Sequence, residues 1–487
     1  MRRRLPAIAW VVLVAVGGFH FSAQARDAAL YEAALAEVPG LLNTLERLVN
    51  IETETGEADG MRDMSNVLAH ELEALGATVT RHKAAATAVG ENIVGTISGD
   101  GGRRLLLMAH MDTVYPKGTL SKYPFRLENG NAHGPGIADD KGGIALILHA
   151  LRVMNERKLR RFGSITVVFN TDEEKGSLGS RDLIVALAKE SDVILSFEPS
   201  SAGHESLTLG TSGIANVTAI VKGKSSHAGS ASEAGVSALV EAADLVMRTQ
   251  GIDDRRNALR FNWTVMRSGG ASNVIPQEAV LSADVRYASN EDLDAALKEL
   301  QAAAKRTRSP AAHVEIHVVR GRPAFTGGAD DEALIDKAQS IYAEVGGQLT
   351  VVDRIGAGTD IAYAALAGKP VIEMLGLPGG EYHGSGGEFI DVSSIPRRLY
   401  MTLRLIGELG HAASSARPKA SAPSGAIVPA RSSENVYGPT WPATIQPLAT
   451  RSLVNTWGRE FGRGTFDAGT RSKPAPFHLC CGSRSIA

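Results

Sequence analysis

Cysteine is nearly absent. Among the 487 residues there are two, Cys480 and Cys481, side by side near the end. The rest of the chain can form neither a disulfide nor a thiolate zinc site, so any metal must be held by histidines and carboxylates. A charge of one sign is absent too. The 51 Lys and Arg are balanced by 53 Asp and Glu, and no basic stripe interleaves with aromatics. Nucleic acid is therefore excluded as an expected partner. Beyond the N-terminus no apolar run reaches about 18 residues, which excludes a transmembrane span there. Gly210-Thr211-Ser212-Gly213 lacks the flanking pattern of a nucleophile elbow, which argues against a serine hydrolase. What remains, 44% hydrophobic and 21% charged, is globular composition long enough for two domains with sizeable cores.

The N-terminus carries the one long apolar run. Arg2, Arg3 and Arg4 precede an almost unbroken apolar stretch from Ala7 to Phe19, and Ala23-Gln24-Ala25 supplies the small-x-small pattern that a signal peptidase cuts. The run is too short to span a bilayer comfortably. Residues 1–25 are therefore expected to be a signal peptide, and the mature chain to start at Arg26 as a secreted, periplasmic protein with no membrane attachment.

From 26 to 213, apolar strand-like runs alternate with helical patterns. Arg104 to Met108, Ser164 to Phe169 and Val193 to Phe197 read as strands; Gly143 to Leu151 and Ser180 to Lys189 read as helices. This predicts an α/β fold, a mostly parallel sheet with helices on both faces. Between 214 and 323 the strands alternate in polarity, as in Asn216 to Val221 and Ala279 to Val285, with helical stretches near Val236 to Arg248 and Asp292 to Lys305. That predicts a small α+β domain inserted into the larger one. The first pattern resumes over 324–411, with the strand Pro370 to Met374 and the helix Ile395 to Leu409. Over 412–487 periodicity is lost among Ala, Ser, Pro and Arg, and a disordered tail is expected.

Chemistry gathers where the strands end. His110 and Asp112 follow the first strand; the acid could take the imidazole's second N–H. Asp139 and Asp140 sit among glycines that permit close backbone approach. Asp172, Glu173 and Glu174 end the second strand, Glu198 ends the third, and His383 follows a glycine-rich loop. Singly, each has a plain reading as a surface turn, a helix cap or a loop histidine. Together they fall at the carboxyl ends of successive apolar strands, the edge where open α/β sheets bind ligands.

The strings AHMDTV, GPGIADDKGG, NTDEEKGS, SFEP, GTSGIA, SSHAG, SNVIP, ADVRY, GRPAF, GTDIAYAALAGKPVIE and EYHGSGGEF resemble, in that order, the zinc aminoacylase/carboxypeptidase family of exopeptidases. Within it the chain looks most like the secreted bacterial glutamate carboxypeptidases of the carboxypeptidase G type. The resemblance covers roughly 26–410 and not the tail. It implies two zinc ions per chain and a bridging di-zinc site. Asp139 would bridge, His110 and Glu198 would complete one zinc site, and Glu174 and His383 the other. Glu173 would be the general base and Asp112 would orient His110. A cis peptide joining Asp139 to Asp140 is implied as well. His227 would stabilise the oxyanion from the lid of a partner subunit, in a homodimer formed through the lid domain. Arg286 and Asn273, and more weakly Arg322, would grip the substrate's free carboxylate, and Gly358 and Thr359 would line the cleft. The substrate would be a small peptide or N-acyl amino acid.

Two departures stand out. The carboxypeptidase pattern places a lysine shortly after the Phe-Glu-Pro strand, where this chain has Ser206, which puts glutamate preference in question. Gly384 to Gly387 is richer in glycine than the pattern. An aminoacylase or dipeptidase on the same scaffold stays open, as does a zinc-binding protein without catalysis.

Overall fold

The computed structural model describes residues 26–85, 88–254, 258–384 and 387–411. The expected signal peptide and the expected tail lie outside these residues. A six-stranded sheet forms the centre, in the order 78–83, 91–98, 164–170, 104–110, 193–196, 371–372. The last four of these strands run parallel to one another; 91–98 pairs antiparallel with both 78–83 and 164–170.

Continuous apolar runs make these central strands because both faces are covered. Side chains alternate across the sheet. Leu105 and Leu107 enter a core with the helices Lys141–Glu156 and Ile395–His411. Leu106 and Met108 enter a second core with the helices Arg181–Glu190 and Ile361–Ala364. Leu105, Leu106 and Leu107 are all 0% exposed, and each such burial contributes roughly 1.5–3 kcal/mol. The strand is thereby anchored on both sides, and His110 at its end stands on a rigid support.

A second sheet is wholly antiparallel, in the order 260–268, 278–287, 213–222, 313–320. Alternate residues of the strand Gly213–Lys222 are buried, against the helices Ala238–Arg248 and Asn290–Ala304. Ser237 and Ser289 cap these helices with their side chains. The chain enters and leaves this sheet at one place, where Ile214 N–H donates to the Arg322 carbonyl (2.9 Å) and Gly321 N–H to that of Ile214 (2.9 Å).

A small four-stranded sheet, in the order 379–380, 389–391, 131–133, 126–128, completes the frame. Its strands flank the loop of His383 and lead into the loop of Asp139. No helix among the described residues is long and apolar enough to cross a membrane.

Candidate metal centre and active site

Parallel strands bring their carboxyl ends to one edge. His110 is the last residue of its strand, Glu173 and Glu174 open a short turn after Asn170, and Glu198 follows Ser196 by two. Asp139 arrives in the loop before the helix Lys141–Glu156, through a cis peptide to Asp140. Gly143 must be glycine here, because a Cβ would come within 2.3 Å of Asp140 Oδ1 and 2.4 Å of the Phe197 carbonyl.

Each oxygen of Asp139 faces a different histidine. Oδ1 lies 2.9 Å from His110 Nε2, and Oδ2 lies 3.2 Å from His383 Nε2. Glu198 Oε1 is 3.7 Å from His110 Nε2, and Glu174 Oε1 is 3.4 Å from His383 Nε2. Two ligands of one tetrahedral zinc lie about 3.3 Å apart, so these separations suit a shared cation on each side. Glu174 Oε1 is buried without a hydrogen-bond partner, a cost that a metal would remove. Asp139, Glu174 and His383 form one potential ligand group; His110, Glu198 and Glu173 form the other. The donor set, imidazole and carboxylate without thiolate, fits zinc.

The electrostatics agree. Burial pushes the Glu173 and Glu198 carboxyls well above the usual carboxylate range. The facing carboxylates of Asp139 and Glu174 lift His383 to about 10. Carboxylates that resist charge beside imidazoles that keep their protons mark a place short of positive charge, and divalent cations would supply it.

Asp112 does more than was expected of it. The nearest acceptor for His110 Nδ1 is the Asp112 main-chain oxygen at 2.9 Å, with carboxylate Oδ1 at 3.4 Å. The carboxylate instead accepts the N–H groups of Glu173 (3.0 Å) and Glu174 (3.1 Å) and the Thr55 hydroxyl (2.7 Å). It thus orients the turn that presents both glutamates.

Sequence reasoning gave Glu388 no role. Only 1% exposed, it accepts N–H bonds from Gly136 (3.2 Å), Ala138 (2.8 Å) and Asp139 (3.0 Å). It holds the Asp139 loop through its backbone. Burial pushes its carboxyl up to about 7. The one available signal was its place five residues after His383, just before a strand.

The expected substrate residues lie elsewhere. His227 and Val274 pair in a short ladder, and Ala228 N–H donates to the Asn273 carbonyl (2.8 Å), so His227 and Asn273 are neighbours. His227 Nδ1 accepts N–H groups of Gly229 and Ser230, both at 3.2 Å, which leaves the proton of the neutral ring on Nε2. Arg286 forks onto Asp284, Nε at 2.8 Å and Nη2 at 3.1 Å. Arg322 is placed differently: 4% exposed, it contacts Glu173, Ser177, Asp360 and the Gly358 carbonyl. Thr359 beside it is buried. Ser206 is a buried residue of the strand Ser206–Thr208.

A sheet edge that gathers two potential metal-ligand groups of imidazoles and carboxylates is the arrangement of a metallohydrolase. Residues 106–408 match the model of peptidase family M20/M25/M40, and the chain belongs to that family. It is 58% identical over 404 residues to carboxypeptidase G2 of Pseudomonas sp. (strain RS-16), covering 83% of this chain and 97% of that one. A tripeptidase structure from Staphylococcus aureus subsp. aureus Mu50 is similar at 25% identity and TM-score 0.67, covering 77% of this chain and 98% of that one. The M20 family metallo-carboxypeptidase Sso-CP2 from Sulfolobus solfataricus shares the fold at 16% identity and TM-score 0.62, covering 75% and 98%. The chain is a zinc-dependent metallo-carboxypeptidase.

Proposed function

We propose that this enzyme hydrolyses the amide bond to a C-terminal amino acid, with glutamate preferred, in folate-like, N-acyl or peptidyl substrates, and that it uses two zinc ions per chain. The observation that carries this reading is Asp139, whose two oxygens address His110 and His383 separately, with Glu173 close by. His110, Asp139 and Glu198 would hold one zinc; Asp139, Glu174 and His383 the other. Zinc held there supplies Lewis-acid chemistry, polarising a carbonyl and making water more acidic.

The side chains do the rest. Glu173 Oε1 is paired with Arg322 at 2.7 Å, so Oε2 takes the proton of the attacking water and returns it to the leaving amine nitrogen. Arg286, with Asn273, grips the substrate's free carboxylate; a guanidinium suits that task. His227 donates from Nε2 to the developing oxyanion.

Residues 26–213 and 324–411 act in this reading as one catalytic domain, and 214–323 as a lid that also forms a homodimer. Support comes from exposed apolar side chains on the second sheet's edge strand and its helix: Val265, Met266, Leu239, Val240 and Met247. The protein is secreted to the periplasm after loss of 1–25, in keeping with the leader-like sequence.

The test is release of free amino acid from a panel of N-acyl and peptidyl amino acids, with and without chelator. Turnover should be highest with C-terminal glutamate and vanish on chelation. Equal rates for all C-terminal residues would remove the glutamate preference, and Ser206 is the reason to include lysine and alanine in the panel. The dimer has its own test. Mixing His227→Ala with Glu173→Gln should restore partial activity that neither parent shows, because one hybrid site is intact. No recovery after confirmed subunit exchange would mean that His227 does not act across the interface.

A further inference from the structure

We propose that Arg322 is a positioning residue for Glu173, fixing the proton-accepting carboxylate from the point where the chain leaves the second sheet. This rests on Glu173 being the general base. One nitrogen of Arg322, Nη2, reaches both ends of that residue: the Glu173 carbonyl at 2.5 Å and carboxylate Oε1 at 2.7 Å. A side chain tied to its own main chain through a single donor has one rotamer open to it. The remaining contacts fix the guanidinium itself. Nη1 donates to the Gly358 carbonyl at 2.6 Å, and Nη2 also lies 2.9 Å from Ser177 Oγ and 3.4 Å from Asp360 Oδ1. Asp360 is held in turn by Asn170 at 2.7 Å and by the Ser177 hydroxyl.

The main chain of Arg322 is equally engaged, but by the other sheet. Its carbonyl accepts the Ile214 N–H at 2.9 Å and the Tyr287 hydroxyl at 3.0 Å. The residue therefore has its backbone in the second sheet and its guanidinium in the active site. A substrate anchor needs a guanidinium open to the cleft; this one is 4% exposed and faces internal acceptors. A purely structural ion pair would need only Asp360, and would not require a fork spanning Gly358 and Glu173.

The test compares Arg322→Met and Arg322→Lys with the wild type in the zinc-loaded enzyme, reading kcat, KM and zinc content. Arg322→Met should lower kcat about 100-fold, the scale of a misplaced catalytic group, with KM and zinc content near wild type. Arg322→Lys keeps the charge without the fork; it should fold and still lose about tenfold in kcat. A double-mutant cycle separates this proposal from the base reading. In the Glu173→Gln background, Arg322→Met should cost less than about threefold, because both changes act through one group. Multiplicative losses, a raised KM at unchanged kcat, a loss of zinc, or a fully active Arg322→Lys would each overturn the positioning role. Full activity of Glu173→Gln alone would instead overturn the base assignment, and it is read without any change at Arg322.

Discussion

Glu173→Gln should lower kcat by about three orders of magnitude, within the range of a general acid–base group, while zinc content stays at the wild-type level. The amide is nearly isosteric and keeps the Arg322 contact within reach, but it cannot take a proton from water. Glu173 belongs to the potential ligand group of His110 and Glu198, so the metal measurement decides its role. Retained zinc with lost turnover marks a base; lost zinc marks a ligand. Its neighbour is the control. Glu174 Oε1 faces His383 Nε2 at 3.4 Å, and Glu174→Gln should lower zinc occupancy first and activity as a consequence.

Asp139→Ala should abolish measurable turnover and take zinc content below one ion per chain. Among the described residues no other side chain addresses both histidines, with oxygens 2.9 Å from His110 and 3.2 Å from His383. The variant should still fold, because Glu388 holds the loop by the backbone N–H groups of 136, 138 and 139 and not by the Asp139 side chain. Thermal melts with and without added zinc check this. The wild type should gain stability, about 4 kcal/mol when free zinc is 1,000 times the dissociation constant, and the variant should gain far less. A variant that binds two zincs, or a wild type whose melt ignores zinc, would sink the bridging role of Asp139.

Much of this was legible in the sequence, for physical reasons. The strands announced themselves because a sheet covered on both faces needs unbroken apolar runs, and Leu105 to Met108 supply one. The candidate ligands were legible because such strands end in acids and histidines that have no reason to follow a buried run unless something pairs with them. The expected zinc count, dimer and residue roles came with the resemblance, and they stay proposals for the experiments above. What the sequence concealed depends on tertiary contact. Glu388 is chemically an ordinary acid until the Asp139 loop folds around it. Arg322, a weaker candidate for the carboxylate anchor in the sequence, is buried against Glu173, Ser177 and Asp360, contacts that no local pattern announces. Asp112 was expected to serve His110 with its carboxylate, but a main-chain oxygen lies nearer, and the carboxylate serves the next strand's turn. The pairing of Ser206–Thr208 with Thr350–Val352 joins segments too short and too far apart for any periodicity to reveal.

The small sheet that seats the two loops sets an order of events during biogenesis. Asp139 and His383 are 244 residues apart in the chain, and the strands 131–133 and 389–391 must meet before either loop has its frame. Contacts of such long separation form late. A nascent chain that has emerged only as far as the second sheet already carries His110, Asp139, Glu173, Glu174 and Glu198, yet it lacks His383, the third member of one potential ligand group. On the proposed ligand set, the Asp139–Glu174–His383 half of the centre is complete only once almost the whole body has been made, and a polypeptide exported as proposed would gain full hydrolytic power only on folding at its destination.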